Sequence, residues 1–239
     1  MVCYNVLVKG EIMKRVICVT GASDGLGRAV AVHFSKTDIV VALSRNEEKL
    51  KELQNEYGIK YYVCDVTNSA QVESVMHDVI FEFNRIDVLV NSAGTLVDGE
   101  LSSCSFDDIK TTIDVNLTGL INATKSASFY MKKQKQGTIF NINSQGGFGA
   151  LAEKSIYNAS KWGVTGFSRC LQPELAKYNI RVTDIMPGRM RTNLFSKIGL
   201  KRDMNNAVDP KEIIKIIEFV LDMPSDIVIP EIGIKHIKT

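Results

Sequence analysis

The chain predicts an α/β fold, an open doubly wound parallel β-sheet with helices on both faces. Three observations predict it. Short apolar runs alternate with helix-periodic segments along most of the 239 residues, which is the pattern of repeated strand–helix–strand units. The first four apolar runs all stop at small or polar residues, namely Thr20-Gly21, Ser44-Arg45, Asp65 and Asn91-Ser92. The carboxyl ends of parallel strands form the ligand crevice, so polar residues collected there mark a site. The first of these ends is also a glycine-rich turn leading directly into a helix.

Taken in order, Val16 to Val19 is a strand, Thr20 to Gly27 the turn, and Ala29, Val30, Val32, His33 and Phe34 give a helical period. Glycines at Gly21, Gly25 and Gly27 let backbone approach a pyrophosphate, and the helix start beyond supplies unpaired N–H groups and positive dipole charge. Ile39 to Leu43 is the second strand, followed by a helix from Asn46 to Tyr57. At its end, an acidic residue would suit a free ribose 2′-hydroxyl, and Arg45 stands there instead. A guanidinium favours a 2′-phosphate and therefore NADP over NAD; a solvated surface arginine is the plain alternative.

Tyr61 to Cys64 is a third strand, after which Asn68 or Ser69 caps a helix to about Phe83. Ile86 to Val90 is the fourth, and Phe106 to Lys133 is helical by pattern, with Asn116 among its apolar positions. A buried asparagine usually bonds backbone. Thr138 to Asn143 makes a fifth strand ending at Ser144, and a helix runs from about Lys154 through Leu175 with Pro173 inside it, where proline kinks or ends a helix. Arg181 to Met186 is a sixth strand, closed by Pro187-Gly188. The polar stretch 189–208, with Arg189, Arg191, Lys197, Lys201 and Arg202, reads as a lid or as an insertion without gating duty. Asp209 caps a helix to Leu221, and Ile227 to Ile229 with Ile232 to Ile234 supply an edge strand.

Composition narrows the function. A hydrophobic share of 45% and a charged share of 23% are ordinary for a chain with a sizeable core. The net charge of +2, without long runs of one sign, argues against nucleic acid and against a polybasic membrane anchor. No apolar run is long enough to span a membrane. Five scattered cysteines without a CxxC pair argue for reduced thiols in a cytoplasmic setting, and against a metal site or disulfide framework. No linker, repeat or low-complexity stretch divides the chain, so 13–239 reads as one domain. Residues 1–12 read as an extension, with Tyr4 to Val8 either an added edge strand or a frayed tail.

The chemistry centres on Tyr157 and Lys161, four residues apart and thus on one helix face. An ammonium beside a phenol favours the phenolate, and the expectation is a tyrosine pKa lowered toward neutrality. The TGxxxGxG turn at Thr20 to Gly27, Asp65, Asn91-Ser92-Ala93-Gly94, Asn116, Ser144, the Tyr157/Lys161 pair and Pro187-Gly188 occur in order and at matching spacing. Together they resemble the short-chain dehydrogenase/reductase family, whose fold is Rossmann-like.

The resemblance implies catalytic roles for Asn116, Ser144, Tyr157 and Lys161. Tyr157 is the general acid in carbonyl reduction, Ser144 a hydrogen-bond donor to the substrate oxygen, Lys161 a ligand of the nicotinamide ribose, and Asn116 the holder of a water linking Lys161 to solvent. It also implies NADP(H), with NAD(H) possible, bound by Gly21, Ser23, Gly25 and Leu26 in the turn, by Ser44 and Arg45, and by Asp65 and Val66 near the adenine. Asn91, Ala93, Gly94, Pro187, Gly188 and Thr192 complete that set with Tyr157 and Lys161. A small carbonyl or alcohol substrate and a homo-oligomer, dimer or tetramer, are implied as well.

Two departures qualify the match. Ser92 replaces an asparagine, and Asp24 stands where NADP-preferring members often carry a base. The ending from Ile227 to Ile234 lacks the glycine-rich close of acyl-carrier-protein thioester reductases and looks more like the branch handling short hydroxy acids and assorted carbonyls. Arg189 and Arg191 could meet an acidic substrate, or be solvated lid charges. A 3-oxoacyl-[acyl-carrier-protein] reductase and a non-catalytic NADP(H)-sensing protein are the competing readings. Sugar-nucleotide epimerases would need more chain after Asn193.

Overall fold

The computed structural model describes residues 7–8, 11–12, 14–197, 199–201 and 203–238. Strands β3 (Val16–Thr20), β4 (Ile39–Ser44), β5 (Lys60–Val63), β6 (Val88–Asn91), β7 (Gly137–Ile142), β8 (Ile180–Pro187) and β9 (Glu231–Ile234) form one seven-stranded sheet in the order β5-β4-β3-β6-β7-β8-β9. Every neighbouring pair is parallel. The order reverses at β3, which has β4 on one side and β6 on the other. The switch point, where a doubly wound sheet opens a crevice, therefore lies beside the glycine turn.

Both faces of the sheet are covered, which is why its strands are apolar without alternation. In β3, Ile17 and Val19 join Val30, Ile213 and Ile217 in one core, while Val16 and Cys18 join Val72, Met76 and Met131 in the other. The first core is roofed by α1 (Gly25–Phe34) and α8 (Pro210–Leu221), the second by α3 (Ser69–Phe83), α5 (Gly119–Gln134) and α6 (Ser155–Ala176). Helix α2 (Glu47–Tyr57) adds Leu50 and Leu53 to the first. Side-chain caps start the helices as anticipated: Asn68, not Ser69, caps α3, and Asp209 caps α8 ahead of Pro210.

Four details differ from expectation. The helix drawn from Phe106 to Lys133 is two, α4 (Phe106–Ile113) and α5, joined by a π-helical turn over Asp114–Thr118. A Cβ on Gly119 would lie 2.5 Å from Val66 Cγ2, so the chain there is pressed against the loop after β5. Pro173 does not end α6, which continues to Ala176; so near the end, a missing N–H costs little cooperativity. Ile227 to Ile229 lies outside the sheet, and β9 alone forms the edge. At the start of the chain, β1 (Leu7–Val8) pairs antiparallel with β2 (Glu11–Ile12) and not with the main sheet, while Tyr4 to Val6 lies outside the described residues.

The 189–208 segment leaves β8, carries the single turn α7 (Leu194–Lys197), and is pinned at its base. Arg191 N–H donates to the Val208 carbonyl and Val208 N–H to the Arg189 carbonyl, each at 2.8 Å. The side chains of Lys197 and Arg202 lie outside the described residues. Among the described residues no helix is long and apolar enough to cross a membrane.

Candidate active site

The carboxyl ends of β3 to β7 open on a cleft, and the turn at its edge needs two glycines. Gly21 has φ of +68°, and a Cβ there would lie 2.7 Å from Ala93 Cα; a Cβ on Gly27 would strike the Gly21 carbonyl. Further along, the Ser44 hydroxyl donates to Ser23 Oγ at 2.7 Å, and Arg45 Nη1 stands 3.8 Å from Asp65 Oδ2. Asp65 Oδ1 is held by the Thr67 N–H and hydroxyl, at 2.9 and 2.8 Å. A glycine cradle, paired hydroxyls and a guanidinium along one groove match the pyrophosphate and adenosine of a dinucleotide.

Of the residues expected at the cofactor, Gly21, Ser23, Gly25, Leu26, Ser44, Arg45, Asp65 and Val66 line this cleft, as do Ala93, Gly94, Tyr157, Lys161 and Thr192. Three do not. Asn91 is buried behind the wall, its Nδ2 donating to Thr124 Oγ1 at 2.8 Å and Asn141 Oδ1 at 2.9 Å. Pro187 and Gly188 line the adjoining cavity instead.

That second cavity, about 560 Å³, shares Asn143, Tyr157, Met190, Thr192 and Leu194 with the cleft and also holds Ser144. Ser144 lies two residues beyond β7 and its Oγ accepts from Gly146 N–H at 3.0 Å, fixing the hydroxyl at the start of the turn. The i, i+4 spacing on α6 sets Lys161 Nζ 5.8 Å from the Tyr157 ring centre, where it donates to the Ile142 carbonyl at 2.9 Å. Tyr157 and Lys161 thus bring acid and cation to the junction of two cavities.

The proton affinities differ from the expectation. Burial pushes the Tyr157 phenol up, and hydrogen bonding with Ser144 only partly opposes this. Burial also pulls Lys161 down to about 8, against the charge of Asp184. The anticipated drop in the tyrosine pKa is therefore absent among the protein's own groups: desolvation dominates, and the lysine is committed to a backbone carbonyl. Such a tyrosine is a protonated donor at neutral pH.

Asn116 sits in the π-helical turn with its amide fully engaged. Its Oδ1 accepts from Thr95 N–H at 2.8 Å, and Nδ2 donates to the Thr95 carbonyl at 2.9 Å and Ser160 Oγ at 3.0 Å. It braces the strand end after β6 against α6, the backbone role expected of a buried asparagine.

Beneath the junction lies a carboxyl that sequence reading passed over. Asp184 on β8 is fully buried, accepting from Ser168 Oγ at 2.5 Å and from Asn143 Nδ2 at 3.1 Å. Burial raises its pKa to about 6, its hydrogen bonds opposing. Between the ordinary value of 3.8 and about 6 the folded state holds a proton that the unfolded state has released, so this group's contribution to stability falls as pH rises through that window, by about 3 kcal/mol. Asp184→Asn should remove the fall. In urea unfolding across this range, the variant should gain on the parent as pH rises; parallel curves would contradict the assignment.

A family model described as short chain dehydrogenase matches residues 15–203. The chain belongs to the short-chain dehydrogenase family. Carbonyl reductase family member 4 of Xenopus laevis is 36% identical over 221 residues, covering 89% of this chain and 93% of the relative. Among solved structures, the closed form of a serine dehydrogenase complexed with NADP+ superposes with a TM-score of 0.89 at 29% identity, covering 94% of this chain and 96% of that one. A metagenomic short-chain oxidoreductase in complex with NADP gives 0.81 at 27% identity, covering 93% and 96%.

As in other short-chain dehydrogenases, the chain is an oxidoreductase that binds a nicotinamide cofactor and acts on small molecules. Several residues of its site escaped the motif reading. Thr95 and Val115 line the cofactor cleft, and Asn143, Met190 and Leu194 line both cavities. Only Asn143 carried a signal, as a polar residue closing an apolar strand.

Proposed function

We propose that the protein is an NADP(H)-dependent oxidoreductase that interconverts a carbonyl and a secondary alcohol. The observation that carries this reading is the convergence of Ser144, Tyr157 and Lys161 where the two cavities join. Ser144 donates a hydrogen bond to the substrate oxygen as negative charge builds there. Tyr157, held protonated by its burial, gives that oxygen its proton; in the oxidative direction its phenolate accepts one. Lys161 holds the nicotinamide ribose and passes protons back to the phenol. Any water that Asn116 holds toward Lys161 rests on its backbone carbonyl, since its amide is spent on Thr95 and Ser160. The bound dihydronicotinamide supplies the hydride.

The preference for the 2′-phosphorylated cofactor is supported by Arg45 at the end of β4, and by neighbours whose structures hold NADP. Incubation with NADPH and a panel of ketones, diketones and 3-oxo acids tests the proposal. Turnover well above a Tyr157→Phe control on at least one compound is expected, and turnover no higher than that control on all of them would overturn it.

A further inference from the structure

The substrate cavity is asymmetric in charge. Its walls hold the apolar side chains of Leu96, Phe148, Leu151, Met190 and Phe195. They also hold three cations, Lys154, Arg189 and Lys235, and no aspartate or glutamate among the described lining residues. Lys154 is already matched, with Nζ 2.5 Å from Asp98 Oδ1 in a largely buried pair.

The other two are not matched. Among the described residues Arg189 has no ion pair, and its recorded side-chain contact is Nη1 donating to the Asp203 backbone carbonyl at 3.0 Å. Lys235 likewise has no ion pair among the described residues, and the chain brings it to the same mouth. Gly188 N–H donates to the Ile234 carbonyl at 2.7 Å, and Gly188 is so close to Lys235 that an added Cβ would lie 2.9 Å from Lys235 Cβ. The residues just after β8 and β9 therefore bring to one cavity wall two cations that have no ion pair among the described residues. Arg191 is the contrast, since it lies outside the cavity and faces Asp209 at 3.8 Å.

Both residues are exposed at the rim of the cavity, where two like charges with no carboxylate among the described lining residues favour an anion through a field that salt screens. We infer that the substrate is an oxo acid or its hydroxy acid, with its carboxylate held by Arg189 and Lys235 while its carbonyl oxygen meets Ser144 and Tyr157. This rests on the oxidoreductase reading above. In reduction the carbonyl carbon gains a hydride and the oxygen gains the Tyr157 proton. The C=O double bond becomes C–O–H, the carboxylate is unchanged, and the dihydronicotinamide is oxidised. A guanidinium offers the forked geometry that a carboxylate accepts, with the lysine as a second point charge.

The test is a panel of short oxo acids, each offered as the carboxylate and as its methyl ester, with NADPH at low and high salt. The carboxylates should be preferred by about tenfold or more in kcat/KM at low salt, with the preference shrinking as salt is added. Arg189→Met should lower kcat/KM on the carboxylates about tenfold more than on the esters. Esters or neutral ketones turned over as well as the acids, without salt dependence in the parent protein, would overturn this inference and leave the oxidoreductase reading standing. Faster reduction of a 3-oxoacyl pantetheine thioester than of any free acid would also overturn it. Failure to oxidise NADPH with every compound would overturn both.

Discussion

Tyr157→Phe is expected to lower kcat for carbonyl reduction by about 10³-fold, within the range of lost general acid catalysis. The ring stays, so the packing between the two cavities stays, and only the proton donor is removed. On the proposed reading the ribose contact is made by Lys161 and the phosphate contacts by the glycine turn, so NADPH affinity should change by no more than a few fold. The parent protein should also show the signature of the buried pair. With the phenol pushed up and Lys161 near 8, reduction should be sustained near neutrality and decline as pH rises past about 8, where the lysine gives up its proton. Alcohol oxidation, which needs the phenolate, should rise over the same interval. A variant with unchanged kcat would remove Tyr157 from the chemistry.

Arg45→Asp should raise the NADPH dissociation constant by about 100-fold and that of NADH by only a few fold, as expected for a charge-assisted contact replaced by repulsion. The guanidinium is 70% exposed in its side chain, at the rim of the cleft beside the Ser44 and Ser23 hydroxyls. Two carboxylates of the cleft would oppose a phosphate there, Asp65, 3.8 Å from the guanidinium, and Asp24. The Asp24 carboxylate is answered by Lys49 Nζ at 3.1 Å, and its other oxygen accepts from Gly25 N–H at 2.7 Å, so its charge is compensated at the helix start. On the proposed reading Arg45 is then the residue that selects the 2′-phosphorylated cofactor. Fluorescence titration with each cofactor checks this, and equal losses for both would remove the 2′-phosphate argument.

Much of this was legible in the residues because parallel strands buried on both faces write themselves as apolar runs, and their polar ends fall at the crevice. Ser144 was found at such a strand end and Tyr157 with Lys161 by their i, i+4 spacing on a helix, and the structure brings them to adjoining cavities. What escaped depended on three-dimensional crowding. The π-helical turn at Asp114–Thr118 runs into Gly119, where an added Cβ would strike Val66, 53 residues earlier, a closeness no local period encodes. Asp184 looked like an ordinary strand residue until Ser168 and Asn143 closed around it. The sign of the Tyr157 shift was misjudged for the same reason: helical spacing supplies the neighbouring charge, whereas the burial that outweighs it comes from the surrounding fold.

The most direct measurement follows the hydride itself. NADPH carrying deuterium at the transferable position is incubated with the protein and the carbonyl panel, and the products are read by mass spectrometry. The account predicts an alcohol bearing one deuterium at the carbinol carbon from the parent protein and almost none from Tyr157→Phe. Labelled alcohol formed equally by both proteins, or by neither although both bind NADPH, would contradict it.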